Sequence, residues 1–215
     1  MFQLQNVEVE DVLEMKDVCL ESNVISIEGQ SGSGKSTLLR LLNNLDSPTT
    51  GNILFKKQNL TDIPPQQLRK QVVMVPQNPV IFDGDIQDNL LIGHTFSGAV
   101  KPKKAKLKEI LENLWLDKPL HTKASELSGG EMQRLSLGRV LLLSQAEVYL
   151  LDEPSSDLDD RTGSHVMKYF METAQQQQKQ TILVTHDKSI TEQFATASLN
   201  MDQYSKQIRQ EDERE

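Results

Sequence analysis

The segment Gly29-Gln30-Ser31-Gly32-Ser33-Gly34-Lys35-Ser36 carries glycine, glycine, lysine and serine at every position that a polyphosphate-binding loop requires, and it follows the apolar run Val24-Ile25-Ser26-Ile27. Glycines at 29, 32 and 34 let the backbone curl until its N–H groups point at phosphate oxygens. The helix beginning there adds its positive end, with Thr37 in the same turn. Lys35 is placed to reach the β- and γ-phosphates, and the Ser36 hydroxyl to ligate Mg²⁺. A second apolar run, Val148-Tyr149-Leu150-Leu151, stops at the adjacent carboxylates Asp152 and Glu153. At the carboxyl end of a parallel strand, where open α/β sheets bind ligands, Asp152 would hold Mg²⁺ directly or through a water. Glu153 would orient and polarise the water that attacks a phosphoryl group. Gln77 follows Val72-Val73-Met74-Val75-Pro76, and His186 follows Thr181-Ile182-Leu183-Val184-Thr185. Each alone is an ordinary residue after a strand. With Gly29 and Asp152 they make four strands that each deliver a polar or phosphate-binding group at the same end. Gln77 then touches Mg²⁺ or the lytic water, and His186 donates to the γ-phosphate.

A fifth segment, Leu127-Ser128-Gly129-Gly130-Glu131, opens a helix expected over Glu131 to Leu143. Gly129 and Gly130 leave N–H groups unshielded at its positive end, an anion site without a lysine of its own. Ser128 with Glu131 three positions on is also a capping box, and both roles can hold at once.

In order and spacing, the phosphate loop, Gln77, Leu127 to Glu131, Val148 to Glu153 and His186 resemble the ABC-type ATPases over nearly the whole chain. The resemblance implies ATP and Mg²⁺ as cofactors and a head-to-tail dimer with a second copy. Ser128, Gly129 and Gly130 of one copy then close over the ATP held by Gly29 to Thr37 of the other. Asp159, in Ser155-Ser156-Asp157-Leu158-Asp159, falls where the family's two sites communicate. Three departures stand out. Glu131 replaces the usual glutamine, Asp157 replaces a small residue, and Val7 to Val12 offers no aromatic to stack on adenine, leaving Val12 as an apolar contact.

The resemblance also implies the elements that position these groups. The expected fold class is α/β: a phosphate-loop NTPase core of mostly parallel sheet flanked by helices, with a small antiparallel β part and an inserted α-helical subdomain. One domain spans 1–215, with 1–77 and 144–215 as catalytic core and 78–143 as the helical subdomain that carries the signature. Leu38, Leu41, Leu42 and Leu45 recur at helical spacing as one buried stripe. Asp46-Ser47-Pro48 and Gly51-Asn52 read as turns, Pro64-Pro65 as a helix start, and Lys106 to Leu116 as a helix. Gln175 to Gln178 reads as an exposed helix end, and Glu211 to Glu215 as a solvated tail. Trp115 and the single cysteine, Cys19, read as buried apolar groups.

At 215 residues the chain is long enough for a sizeable core, and its net charge of −8 disfavours a nucleic-acid groove. No apolar run reaches membrane-spanning length, and the mean hydropathy is −0.47. The start at Met1-Phe2-Gln3-Leu4 lacks a cleavable leader, which gives an expectation of cytoplasmic residence. Lys101, Lys103, Lys104, Lys106 and Lys108 read as a solvated face, with contact to anionic headgroups as the functional alternative. The stretch Asn78 to Leu90 resembles the exporter version of the loop that receives a permease. The expected partner is therefore a transmembrane permease subunit, holding the chain at the inner face of the plasma membrane. A small separate ATPase with such a loop resembles those assigned to iron or metal export. A soluble ATPase driving assembly, of the iron–sulfur scaffold type, is the alternative. A clamp that binds without turnover is a third reading, against which Glu153 and His186 argue.

Overall fold

The computed structural model describes residues 1–208. β1 (Phe2–Val9) and β2 (Leu13–Leu20) pair antiparallel, and β3 (Val24–Glu28) runs into α1 (Lys35–Leu42). There follow β4 (Thr50–Phe55), β5 (Gln58–Asn59), α2 (Pro65–Gln71) and β6 (Val72–Val75). Three helices come next: α3 (Ile86–Ser97), α4 (Lys104–Asn113) and α5 (Gly129–Leu141). The chain then runs through β7 (Val148–Asp152), α6 (Asp160–Gln176), β8 (Gln180–Val184), α7 (Lys188–Phe194) and β9 (Ala197–Asn200), which a 3₁₀ turn at Met201–Gln203 follows.

Two sheets result: an antiparallel one in the order β2-β1-β4-β5 and a parallel one in the order β6-β7-β8-β3-β9. This is the α/β phosphate-loop fold expected from the motifs. Period-two alternation divides the parallel strands between two apolar layers. Leu150, Ile182, Val184, Ile25 and Ile27 join Leu38, Leu39, Leu41 and Leu42 of α1 and the inner face of the antiparallel sheet. Tyr149, Leu151, Leu183 and Val24 join α6 and the helices α3, α4 and α5. Because the strands run parallel, their carboxyl ends share one edge, and that edge carries the polar groups.

Several local expectations are corrected. α1 stops at Leu42, so Leu39 joins the buried stripe while Leu45 is 51% exposed. Cys19 is exposed, because alternation in β2 sends it to the face opposite Val18 and Leu20. Gly51 lies inside β4 at φ 85°, and its Cα approaches β1 so closely that a Cβ would sit 2.1 Å from the Asn6 carbonyl oxygen. It accommodates a bulge, where the β1–β4 register shifts between Gln5 and Glu8. α4 begins and ends earlier than Lys106 to Leu116, and α5 begins at Gly129. Leu114 and Leu116 take the core positions, and Trp115 between them turns outward at φ 53° to stack on His165 at 3.9 Å. Glu211 to Glu215 lie outside the described residues.

Candidate functional site

The phosphate loop opens where β3 ends, and α1 starts at Lys35 behind Gly34, whose φ of 92° puts it in the left-handed region. No side chain caps α1, and its first turn holds no acidic residue. Its leading N–H groups therefore face outward unsatisfied, as an anion site requires. Lys35 Nζ donates to the carbonyls of Gly29 (2.8 Å) and Gln30 (2.6 Å), so the cation rests on the loop's own oxygens. Ser33 Oγ is buried without a hydrogen-bond partner.

Across the loop, Ser36 Oγ donates to Asp152 Oδ1 at 3.0 Å. Burial pushes the Asp152 carboxyl above the usual carboxylate range, with the Ser36 hydrogen bond opposing that rise and the adjacent Glu153 charge adding to it. Glu153 sits at φ 46°, left-handed for a non-glycine, with its N–H donating to the Val184 carbonyl. That bend aims its carboxylate along the sheet edge, 3.5 Å from His186 Nε2 and 3.5 Å from Gln77 Nε2. Ends of β6, β7 and β8 thus meet at one carboxylate. One cleft of about 470 Å³ is lined by Gly29, Lys35, Thr185 and His186. A neighbouring cleft of about 700 Å³ is lined by Glu153, Ser155, Asp159 and His186.

Ser128, Gly129 and Gly130 line neither cleft. They open α5, where Ser128 Oγ accepts from the Glu131 N–H and Glu131 Oε2 accepts from the Ser128 N–H at 2.9 Å and its hydroxyl at 3.1 Å. The Ser128 N–H holds the Glu131 carboxyl below the usual range, with Lys118 3.6 Å away adding to the effect. The extra charge at position 131 is thus drawn back onto its own helix start. Gly130 packs so tightly on the following segment that a Cβ would lie 3.0 Å from the Asp157 carbonyl oxygen. Asp159 caps α6 by accepting from the Thr162 N–H at 3.0 Å, so its carboxylate has a structural use as well.

Three contributors escaped sequence reasoning. Buried Gln133 on α5 donates to the Pro154 carbonyl at 3.0 Å, tying the signature helix to the exit of β7. Arg139, also on α5, reaches the Val80 carbonyl (2.9 Å) and the Asn89 carbonyl (3.0 Å) and lies over the Phe82 ring. Burial pulls its pKa down to about 10. Asp202, just after β9, accepts from the Gln30 N–H in the phosphate loop at 2.8 Å. A charged residue between Gly138 and Val140 was a readable hint for Arg139; nothing local marks Asp202.

The family described as ABC transporter matches residues 17–156. The chain is 38% identical over 179 residues to the lactococcin-A transport/processing ATP-binding protein LcnC of Lactococcus lactis subsp. lactis, covering 80% of the chain and 24% of that protein. It therefore spans about a quarter of such longer relatives. Against the lipoprotein-releasing system ATP-binding protein LolD of Rickettsia bellii it is 32% identical, covering 79% of the chain and 77% of LolD. Among solved structures, a bacterial Atm1-family ABC exporter with ATP bound superposes with a TM-score of 0.79 at 26% identity, covering 93% of the chain and 37% of the exporter. A dimeric bacterial ABC transporter cassette superposes at 0.77 and 25% identity, covering 94% and 95%.

Proposed function

The chain belongs to the ABC transporter family, and on that premise we propose that it is an ATP-hydrolysing subunit whose two copies pack head to tail and hydrolyse ATP between them to drive a separate transmembrane permease. The observation that carries the reading is a division of labour. Lys35, Ser36, Asp152, Glu153, Gln77 and His186 converge at one sheet edge, while the signature glycines stay apart from them.

The residues fit a magnesium-bound triphosphate. Lys35 needs only to leave two loop carbonyls to reach phosphate, α1 presents uncapped N–H groups, and Ser33 Oγ lacks a partner. Ser36 and Asp152 supply two hard oxygens within 3.0 Å of each other, which suits an ion that keeps several waters. When bound, that ion neutralises charge on the phosphate oxygens. Gly29 to Thr37 cradle the phosphates, and Gln77 orients the attacking water. Glu153 accepts that water's proton as its oxygen bonds to the γ-phosphorus and the bond to the β-phosphate oxygen breaks. His186 donates to a γ-oxygen. Ser128, Gly129 and Gly130 of the other copy cover the far side of the phosphates, and Asp159 lies at the seam.

The permease has a suitable landing place. A groove of about 410 Å³ is lined by Arg69, Lys70, His94, Phe96 and Leu143. Phe96 is 72% exposed and packs edge-on against Phe82, with exposed Val80 and Val100 nearby in sequence. An apolar surface carrying cations in a chain of net charge −8 fits an apolar, acidic segment. The loop held by Arg139 and the exporter naming of some relatives favour export. The metal-export likeness rests on that loop, so it speaks to coupling and not to cargo. In this reading the chain sits on the inner face of the plasma membrane through its permease; among the described residues no helix is long and apolar enough to cross a membrane. Purification from membranes tests the partner: a multi-spanning protein should co-purify and change the ATPase rate. Recovery with a soluble assembly scaffold instead would overturn the transport assignment.

A further inference from the structure

We propose that Asp202 is a positioning residue for the phosphate loop, fixing its first peptide unit while Lys35 moves to the nucleotide; this rests on the ATP-site reading above. The Gly29 carbonyl and the Gln30 N–H belong to one peptide unit. Lys35 Nζ binds its oxygen at 2.8 Å and Asp202 Oδ1 binds its N–H at 2.8 Å. One peptide is thus clamped between a cation and an anion. When Lys35 turns to the phosphates it leaves that peptide, and Asp202 remains to hold its orientation. A flipped peptide would set the Gly29 carbonyl against the Asp202 side and turn the Gln30 N–H inward, disturbing the curl on which the loop's following N–H groups depend.

The anchor is itself rigidly held. β9 pairs with β3 in register, Glu28 opposite Asn200, so the strand feeding the loop and the strand feeding Asp202 are neighbours. Asn200 Oδ1 accepts from the Asp202 N–H at 2.9 Å, and Met201 is fully buried. Beyond it, the Tyr204 carbonyl accepts from Glu14, and the Lys206 N–H donates to Val12. The segment after β9 is therefore a strap fastened to the sheet at one end and to β2 and the turn before it at the other. Contact is close: a Cβ on Gly29 would lie 2.7 Å from Asp202 Oδ1, at a φ of 134°. The contact spans 172 positions of sequence, so the fold has to bring it about.

The test compares Asp202→Ala and Asp202→Asn with the unaltered protein, reading fluorescent-ATP affinity, KM, kcat and melting temperature. Asparagine keeps an acceptor oxygen and removes the charge. Alanine should weaken ATP binding and raise KM about tenfold, the change expected for one hydrogen bond to a charged group, with kcat held within about twofold. Asparagine should recover most of the affinity, and both variants should melt close to the unaltered protein. Unchanged affinity in the alanine variant would overturn the proposal while leaving the site reading intact. So would an asparagine variant as weak as alanine, or a loss that tracks a fall in melting temperature. No ATP binding by the unaltered protein would overturn the site reading and this proposal together.

Discussion

Two helix starts in this molecule are suited to phosphate, and they are prepared in opposite ways. α1 begins behind a left-handed glycine with no side-chain cap and no acid in its first turn. α5 begins behind Ser128, whose hydroxyl and N–H are engaged with Glu131 in a closed capping box. The first is open and surrounded by Lys35, Ser36 and Asp152. The second is stable as it stands and lines neither of the clefts beside Glu153 and His186. A helix end that binds ligand within its own chain can be left unsatisfied in a pocket. In the proposed dimer α5 waits for another copy, and the capping box satisfies it meanwhile without engaging the Gly129 and Gly130 N–H groups.

The contrast can be broken or sharpened. The largest effect is expected from Glu153→Gln, which removes the charge of the carboxylate proposed as base: turnover should fall about 10²–10⁴-fold, while ATP binding persists and a nucleotide-locked dimer accumulates on a sizing column. Unchanged turnover would remove Glu153 from its role. Gly130→Ala shields the waiting half. Its methyl group must find room 3.0 Å from the Asp157 carbonyl oxygen, so ATPase activity should drop about tenfold while ATP binding by the separate copy is retained. Equal losses in both would mean that the two halves do not act separately.

Acid should separate them as well. Burial raises the Asp152 carboxyl, so its neutral form favours the fold below the ordinary carboxylate range, and that contribution is lost as pH rises through the raised value. Magnesium needs the ionised form, so Mg-ATP affinity should weaken on acidification before ordinary carboxylates titrate. Glu131 is lowered, so its capping contribution is present above the ordinary range and survives until pH falls through the lowered value. Nucleotide titrations against pH, beside melting curves, check that order. The smallest effect is that of Glu131→Gln, which keeps the cap and frees the Ser128 hydroxyl from a carboxylate. The ATP concentration for half-maximal dimer should fall about threefold, the scale of an exposed charge interaction; a rise would show that the charge aids closure.

What the sequence disclosed follows the range of the interactions. That Gly29 to Ser36, Asp152-Glu153, Gln77 and His186 meet at one sheet edge was legible because each group sits at the end of the apolar run that delivers it, and parallel pairing does the rest. The capping box at Ser128 and Glu131 is local in the same way. Asp202 was hidden because its contact spans 172 positions and β9 is a short strand with little apolar character. Gly51 was misread because the close approach of Asn6 is a cross-strand event that no local turn pattern encodes. Cys19 was within reach: alternation between buried Val18 and Leu20 already sends it outward.

The central claim is that each ATP is enclosed by two copies. Ser31 lies in the open loop and Gly129 has room for a side chain, its nearest neighbour lying 3.8 Å from a built Cβ. With exposed Cys19 replaced by serine and Glu153→Gln present, cysteines at 31 and 129 should join separate copies through a short bifunctional thiol crosslinker when Mg-ATP is added, and not in its absence. Failure to form crosslinked dimer under saturating Mg-ATP, or equal crosslinking without nucleotide, would contradict the account.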